Sequence, residues 1–531
     1  MMKKTALILA GTILAHASVA QEGFKRTQTR MLDEAELLMQ AEAFADAAKI
    51  YRRLLPIDTT FAEVSYNLGM CEWRLPGRWA QSAGHFAQAV RNGSVEAHYM
   101  LALCRHRQQR FEEALALFAT YKHLEGRSVP DADVDRHAAM SMVARTLTRT
   151  PEDQVIINLG ATVNSKAHDY CPLVTADRSK MFFTSRREGT MGEKRDQNGQ
   201  WYEDIWRSNR MNGSWMPAQN IGAPLNTEAM DATVGMSPTG DTLIIYRSDA
   251  DLNGGDLYMT RRTPVGWTVP ELLTEHVNSG DHEPSASLGP GGTSIYFTSD
   301  REGGQGGRDI WCVKRLPNGE WSLPLNLGPT INSAYDEDAP FMHADGQTMF
   351  FSSNGHGTMG GYDIFKSALL EPEGNTWTEP ENMGSPLNTV NDDIYFCLSD
   401  DGRTGYFSSE RPEGFGAQDI YEVRFPENQL EFVAVMGVVT DPLDEPLRAR
   451  ITLVDMSRSE THGIYNTNAS TGRYLMVVEP GRTYRMLVES DGCTAYTGEF
   501  KPVMTNGQRE LLMDVRMTRA VAQTAPAAHG K

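Results

Sequence analysis

Two periodicities of apolar residues divide the chain. Across residues 30–125 apolar positions recur at helical spacing with almost no strand signal, whereas from about residue 160 they alternate in short segments cut by Gly, Asp-Gly and Asn-Gly. The first period predicts amphipathic helices and the second half-buried strands. Between 160 and 428 the alternation follows one pattern written five times. Each copy opens on Asn followed by Ser or Thr, at Asn164, Asn226, Asn278, Asn332 and Asn388. Each then reaches an apolar-aromatic run ending in Ser: MFFTS (181–185), LIIYRS (243–248), SIYFTS (294–299), MFFSS (349–353) and GYFSS (405–409). A Gly-rich segment follows, then Asp with an apolar and an aromatic residue, at Asp204, Asp256, Asp309, Asp363 and Asp419. Four copies close on a Trp with a Pro nearby, at Trp215, Trp267, Trp321 and Trp377.

The Asn anchors stand 62, 52, 54 and 56 residues apart. Self-similarity at that period marks an array of supersecondary units, none able to bury its apolar face alone. Four short alternating segments per copy predict a four-stranded antiparallel meander, and such sheets repeated radially make a β-propeller, here with five blades over 153–428. The fifth copy lacks the Trp-Pro strand. Its complement lies upstream, where QVIINLGATVNS (154–165) matches the junctions at 322–333 and 378–389. Residues 155–159 are therefore expected to supply the last blade's outer strand, removing a sheet edge open to foreign strands.

Within 21–126 three helix pairs align. Their second helices share a small residue followed three positions later by an apolar one, Ala47/Ile50, Ala83/Phe86 and Ala114/Leu117, and the first helices carry Leu68/Gly69 and Leu101/Ala102. Small residues at these positions let helices approach closely, and the pattern resembles tetratricopeptide repeats. A capping helix (137–147) and linker are expected within 127–152. After the propeller, residues 429–519 change to short strands with turns at Ser470-Thr471-Gly472 and Pro480-Gly481, which predict a small β-sandwich. Residues 520–531 are small and polar and are expected to be disordered. The fold class expected is thus multidomain: an α-helical tetratricopeptide-like solenoid, a five-bladed β-propeller, then a small β-sandwich.

Residues 1–20 carry two lysines, a short apolar core and a small-residue end, which predicts a cleaved signal peptide and export. No Cys stands at the expected cleavage point, and no later run is long enough for a membrane helix. Loss of Lys3 and Lys4 would take the formal charge from −19 to −21. So acidic a chain disfavours nucleic acid and anionic membranes. The six cysteines are scattered, and small buried residues are a better reading of them than a disulfide framework.

Five residues after each anchor the chain is always acidic: Asp169, Asp231, Glu283, Glu337 and Asp393. At the start of the innermost strands they would form a carboxylate ring at the propeller mouth, a docking site for cations; alternatively each caps its own turn. Asp249, Asp251 and Asn253 have the spacing that opens a calcium loop, although Thr260 stands where a bidentate Glu belongs. No other cofactor is indicated. The chain has no HExxH, no GxSxG, no phosphate loop with Lys and no zinc spacing, and the acids are equivalent by repeat where an enzyme breaks symmetry.

The repeats, with their (Y/F)F(S/T)S and GG-DI(Y/W) segments, resemble the WD40-like (PD40) propeller motif of periplasmic proteins. STGRY (470–474) and PGRTY (480–484) resemble the carboxypeptidase regulatory-like domain, which is non-catalytic. The order of the three regions resembles envelope proteins of Bacteroidetes tied to gliding or type IX secretion, related to outer-membrane protein A but here without its peptidoglycan-binding segment. The resemblance implies a non-enzymatic periplasmic scaffold, peripheral to the outer membrane. It would bind envelope proteins through the helical groove and a propeller face, and reach peptidoglycan only indirectly. A ligand- or calcium-sensing propeller and a glycan or peptide hydrolase are the alternatives.

Overall fold

The computed structural model describes residues 26–75, 77–196, 199–237, 239–249, 254–371, 375–399, 402–426, 432–456, 460–502 and 510–520. The expected signal peptide and nearly all of the expected tail lie outside these residues.

Among the described residues seven helices come first: α1 (Arg26–Gln40), α2 (Phe44–Leu54), α3 (Ala62–Arg74), α4 (Trp79–Arg91), α5 (Glu96–Arg107), α6 (Phe111–Lys122) and α7 (Asp131–Arg149). Successive helices pack on one another. The small residues picked out by the spacing, Ala47, Ala83, Ala102 and Ala114, are all buried between them. Gly69 shows why. A Cβ there would stand 2.7 Å from the Phe86 ring, so α3 and α4 touch through a position that tolerates no side chain. Helix α7 begins six residues earlier than the sequence pattern indicated, directly after Pro130, with Asp131 and Asp133 in its first turn. Proline ahead of a helix and carboxylates at its positive end both favour that start.

The β-rich region holds five antiparallel sheets in chain order. Their three inner strands are Asp169–Val174, Lys180–Ser185 and Asp204–Met211; Asp231–Met236, Thr242–Ser248 and Gly255–Thr263; Ala286–Leu288, Ser294–Ser299 and Asp309–Lys314; Glu337–Met342, Thr348–Ser353 and Asp363–Glu371; and Asp393–Leu398, Thr404–Ser409 and Asp419–Arg424. Each sheet packs on the next and the first packs on the fifth, so the order is cyclic. Strand Val155–Asn158 pairs antiparallel with Asp419–Arg424, with Val155 opposite Arg424 and Asn158 opposite Tyr421. A strand from ahead of the first sheet thus completes the last one.

The anchor asparagines explain why the sheets hold in order. Asn226 Nδ2 donates to Ile205 O and its Oδ1 accepts from Ile205 N, both at 2.9 Å, so one side chain satisfies both backbone groups of a residue in the preceding sheet. Asn278 does the same to Leu257, Asn332 to Ile310 and Asn388 to Ile364. At the closure Asn164 bonds Ile420 N at 2.9 Å and Ile420 O at 3.0 Å, linking the first copy to the fifth. All five asparagines are buried.

Two further sheets share one apolar core after residue 432. Val433–Thr440 pairs antiparallel with Arg473–Val478 and parallel with Glu510–Leu512, while Arg450–Asp455 lies between Glu460–Asn466 and Tyr484–Glu489. Val435, Ile451, Leu453, Met476 and Met486 fill the space between. Strand Glu460–Asn466 also packs on Asp363–Glu371 of the fourth sheet.

The helices are seated on the sheets. Phe111, Val143, Ala144 and Leu147 enclose Met359 and Val390 from loops of the fourth and fifth copies. Around this apolar patch Arg107 pairs with Glu410 at 3.1 Å, and Arg136 donates to Asn354 O at 2.5 Å and lies 4.0 Å over the Tyr335 ring. His106, buried beside the patch and bonded to Ser141 at 2.8 Å, is pushed down to about 4 by loss of solvent.

Asn164→Ala would leave Ile420 N–H without its side-chain acceptor, and a buried orphan of this kind costs about 1–3 kcal/mol. The expected result is a lower melting temperature and faster amide exchange at Ile420 and along Val155–Asn158. The same exchange rate as wild type would refute the latch. Gly69→Ala is expected to destabilise the helical region by about 1–3 kcal/mol, read from its melting by circular dichroism, because Phe86 must move.

Candidate functional site

The five acids of the sequence pattern are no more than 1 % exposed. Asp231 accepts from Thr227 N at 2.6 Å and Thr227 Oγ1 at 2.7 Å, and Asp393 accepts from Thr389 N at 2.6 Å and Oγ1 at 2.8 Å. Asp169 takes the same pair of bonds from Ser165, Glu283 from Ser279 and Glu337 from Ser333. Each carboxylate closes the turn that precedes its own strand. A ring of exposed carboxylates does not form, because the hydrogen bonds that would meet a ligand are already made inside each repeat. Glu283 also departs from its siblings. It precedes its strand, which begins only at Ala286, and the intervening Pro284 has no N–H to join a ladder.

Burying five carboxylates calls for opposite charge, and arginines within the repeats supply most of it. Arg187 pairs with Asp169, Arg247 with Asp231 at 2.6 Å, Arg301 with Glu283 at 3.1 Å and Arg411 with Asp393 at 3.2 Å. Each guanidinium also donates to the carbonyl just ahead of the anchor Asn: Val163, Leu225, Val277 and Leu387. In the fourth copy His356 takes this place, bonded to Ile331 O at 2.8 Å and 3.9 Å from Glu337. Without a guanidinium there, burial pushes Glu337 up to about 7, against the hydrogen bonds from Ser353 and Ser333. A basic residue two positions after the run's Ser, in the first, third and fifth copies, was the available signal.

In the first, third, fourth and fifth copies the Asp opening the third strand is also structural. Asp204 accepts from Met191 N at 2.7 Å and Asn220 at 2.6 Å, and Asp309, Asp363 and Asp419 repeat this with Asn326, Asn382 and Asn158. Of the proposed calcium ligands, Asp249 is exposed, and Asp251 and Asn253 lie outside the described residues. Among the described residues no group of three or more His, Cys, Asp and Glu is placed to hold a metal.

The symmetry breaks elsewhere. The innermost strands of all five copies surround a cavity, lined by Leu173, Val234, Met236, Leu288, Met342 and Phe396 among others. Seven residues after the anchors stand Cys171, Thr233, Ser285, Ala339 and Tyr395. Cys171, Ala339 and Tyr395 have φ of 51°, 49° and 60°, each at a register shift of its strand. Left-handed backbone at a bulge re-aims a side chain, and such strain is concentrated at functional positions.

Where the innermost strands begin, Asp338 accepts from Arg308 at 2.9 Å and Ser285 Oγ at 2.5 Å, and Arg308 donates to the Tyr362 hydroxyl at 2.6 Å. Asp338 raises the Arg308 pKa, and burial raises that of Tyr362. Tyr170 and Tyr395 stack with ring centres 5.6 Å apart. Burial raises the Glu203 pKa, against the charge of Arg186. The sequence carried this break. Six residues after the anchors stand Tyr170, Ala232, Pro284, Asp338 and Ile394, and before the third-strand Asp stand Glu203, Gly255, Arg308, Tyr362 and Gln418. Attention to the invariant positions conceals it.

The helical surface is amphipathic at its seat on the sheets. Arg107 lies 6.0 Å from the Trp73 ring centre and 4.5 Å from that of Trp79 while pairing with Glu410. Residues 77–132, spanning α4 to the start of α7, match the tetratricopeptide repeat model. No curated protein sequence matches the chain. Among solved structures, the Yersinia enterocolitica type III secretion chaperone SycD, in complex with a peptide of the translocator YopD, is similar at 15% identity and a TM-score of 0.21, over 24% of this chain and 98% of that one. An endo-arabinase from Bacteroides thetaiotaomicron is similar at 14% identity and a TM-score of 0.33, over 51% of this chain and 97% of that one. A 3-chlorocatechol 1,2-dioxygenase from Rhodococcus opacus is similar at 8% identity and a TM-score of 0.16, over 18% of this chain and 62% of that one. Among the described residues no helix is long and apolar enough to cross a membrane.

Glu337 gives a test of the buried-acid arrangement. Its folded pKa of about 7 lies above the ordinary 4.5, so its contribution to stability is full below about 4.5 and is lost as pH rises through about 7. Glu337→Gln, which cannot ionise, is expected to gain stability relative to wild type between pH 5 and pH 8, by about 1–3 kcal/mol at the upper end. Thermal melts of both proteins across that range check it. A stability difference independent of pH would refute it.

Proposed function

We propose that this protein is a non-enzymatic scaffold of the cell envelope, exported by its first 20 residues to the periplasm and peripheral to the outer membrane. In this reading the cyclic sheets are a five-bladed WD40-like propeller, and the last two sheets are a carboxypeptidase regulatory-like sandwich. The helical groove and a propeller face then bind envelope proteins, including components of type IX secretion or gliding machinery.

The observation that carries the proposal is the seating of the helices on the sheets. Phe111, Ala144, Met359 and Val390 form one buried cluster, flanked by the Arg107–Glu410 and Arg136–Tyr335 contacts. A tetratricopeptide-type stack held in this way keeps a fixed orientation to the sheets, which suits simultaneous contact with two partners. The match of residues 77–132 to the tetratricopeptide repeat supports a peptide- or protein-binding surface in that stack.

Crosslinking in intact cells followed by mass spectrometry is expected to recover outer-membrane or secretion components. Deletion is expected to impair secretion, motility or envelope integrity. Met359→Asp, placed in the helix-to-sheet contact, is expected to reduce the crosslinked set without abolishing expression. A deletion strain normal in all three respects would overturn the proposal.

A further inference from the structure

The seam where the fifth sheet meets the first carries a second departure from the repeat, at the end of the sheets away from the five buried acids. There the turn between the first two strands is built alike in every copy. Its fourth residue donates an N–H to the carbonyl of its first: Arg178 to Thr175, Gly240 to Ser237, Gly292 to Gly289, Gly346 to His343 and Gly402 to Ser399. That donor has a left-handed backbone in all five, with φ of 55° at Arg178 and 66–71° at the four glycines. Glycine adopts such a backbone at no steric cost, and arginine does not. The first copy thus keeps a strained arginine where a glycine closes the same turn.

The Arg178 side chain reaches across the seam, where its Nη1 donates to Thr404 Oγ1 of the fifth sheet at 2.8 Å. Both residues line a pocket with Arg210, from the third strand of the first sheet, and with Arg403, Glu422 and Arg424 of the fifth. Arg403 and Arg424 are exposed, and Arg178 and Arg210 are half-buried. Arg210 is positioned by neutral partners: its Nε donates to Gly213 O at 3.0 Å, and its guanidinium lies 5.6 Å from the Trp215 ring centre. Glu422 accepts from Arg424 at 2.7 Å and from the Tyr406 hydroxyl at 3.2 Å. Asp177, beside Arg178 in sequence, is committed to its own turn through Thr175 Oγ1 at 2.6 Å and Ser179 N at 2.9 Å. Asp400 and Asp401 lie outside the described residues, and four arginines outnumber the acids even if both are counted beside Glu422. This excess stands in a chain with 69 acidic and 50 basic residues.

We propose that this pocket binds a phosphate group, held across the seam by the guanidiniums of Arg178, Arg210, Arg403 and Arg424. A guanidinium is a planar fork of donors that matches phosphate oxygens, and such charge-assisted bonds are about twice as strong as neutral ones. A phosphate group with two charges takes more than one guanidinium, which a pocket drawing arginines from two sheets supplies. A metal cation is disfavoured by the four like charges. The net acidity of the chain does not oppose the proposal, because charges farther than ~8 Å away are screened at physiological salt. Bound phosphate would tie the first sheet to the fifth at the junction that Asn164 and the borrowed strand also close. Soluble phosphate esters and phospholipid headgroups share this chemistry. The inference does not depend on the scaffold reading.

Calorimetric titration of the full chain with pyrophosphate at low salt is expected to show saturable binding. Arg178→Gly installs the residue that the other four copies carry at this turn, so it is expected to melt no earlier than wild type while binding pyrophosphate about tenfold or more weakly. Arg403→Gln, on an exposed turn, is expected to weaken binding similarly, and it decides the matter if Arg178→Gly melts early by circular dichroism. Arg262→Gln alters the second-sheet equivalent of Arg210, outside the pocket, and is expected to bind as wild type does. Sedimentation with phosphatidylcholine vesicles, with and without phosphatidic acid, separates the two sources. Retention on phosphatidic acid that Arg178→Gly abolishes assigns the pocket to a lipid headgroup; pyrophosphate binding without retention assigns it to a soluble phosphate. The proposal is overturned by undiminished binding in Arg178→Gly and Arg403→Gln, or by an equal loss in Arg262→Gln, which would make the attraction diffuse. Tighter binding of hexa-aspartate than of pyrophosphate would also overturn it, in favour of an acidic peptide. So would the absence of both vesicle retention and heat from pyrophosphate at ~10 mM, a concentration that detects millimolar affinity.

Discussion

The five-sheet region depends on an amide side chain that imitates a strand. Each anchor asparagine presents a donor and an acceptor in the geometry of a peptide unit and bonds both backbone groups of a residue in the sheet before it. Buried backbone groups left without partners cost more than almost any packing defect, so the amide is effectively obligatory once the sheets are short. Alanine and leucine cannot replace it, and aspartate would repel the carbonyl. Because every sheet is stapled to the next by the same device, the fifth needs a staple from the first. Asn164, bonded to Ile420, supplies it. The borrowed strand Val155–Asn158 and the staple at Asn164 lie within a few residues of each other, so a single short segment closes the cycle.

A second constraint follows from the turns. Each anchor is followed by Ser or Thr, whose hydroxyl and N–H both point to the carboxylate four residues on. That carboxylate is buried by the neighbouring sheet, and a buried charge without a counter-charge is costly. The guanidiniums of Arg187, Arg247, Arg301 and Arg411 offset the cost, and they also bind the carbonyl ahead of the anchor and cover aromatic rings of their own sheet. One arginine thereby serves the turn, the carboxylate and the core. The fourth copy, with His356, shows how the arrangement behaves when the permanent charge is missing: its carboxylate is held near neutrality by burial.

With structural needs met inside the repeat, the residues that differ between copies are free to serve function. Glu203, Arg308, Tyr362, Asp338 and Tyr395 occupy repeat positions where no residue type is shared, and Arg308 joins Asp338 to Tyr362 at the end where the innermost strands begin. The helical stack stands apart from that end in chemical character. Its contacts with the sheets are an apolar patch bordered by Arg107 and Arg136, which holds it in place without reaching the cavity lining.

Much of this organisation is local in origin and so was open to reading in the chain itself. The helix pairs follow from apolar period and from small residues such as Gly69, the strands from alternation, and the borrowed strand from the likeness of 154–165 to the other junctions. The own-turn role of the five acids was readable as one of two alternatives, because the Ser or Thr partner is only four residues away. Tertiary structure decided the rest. Whether Asp169 and its equivalents are exposed depends on the sheet that covers them, and the pairing of each with an arginine depends on strand register. The stacking of Tyr170 on Tyr395 requires the first and fifth sheets, far apart in sequence, to meet, and the pairing of Arg308 with Asp338 requires the third and fourth to adjoin. Periodicity identifies what repeated units share; only their closure into a cycle brings together the side chains in which they differ.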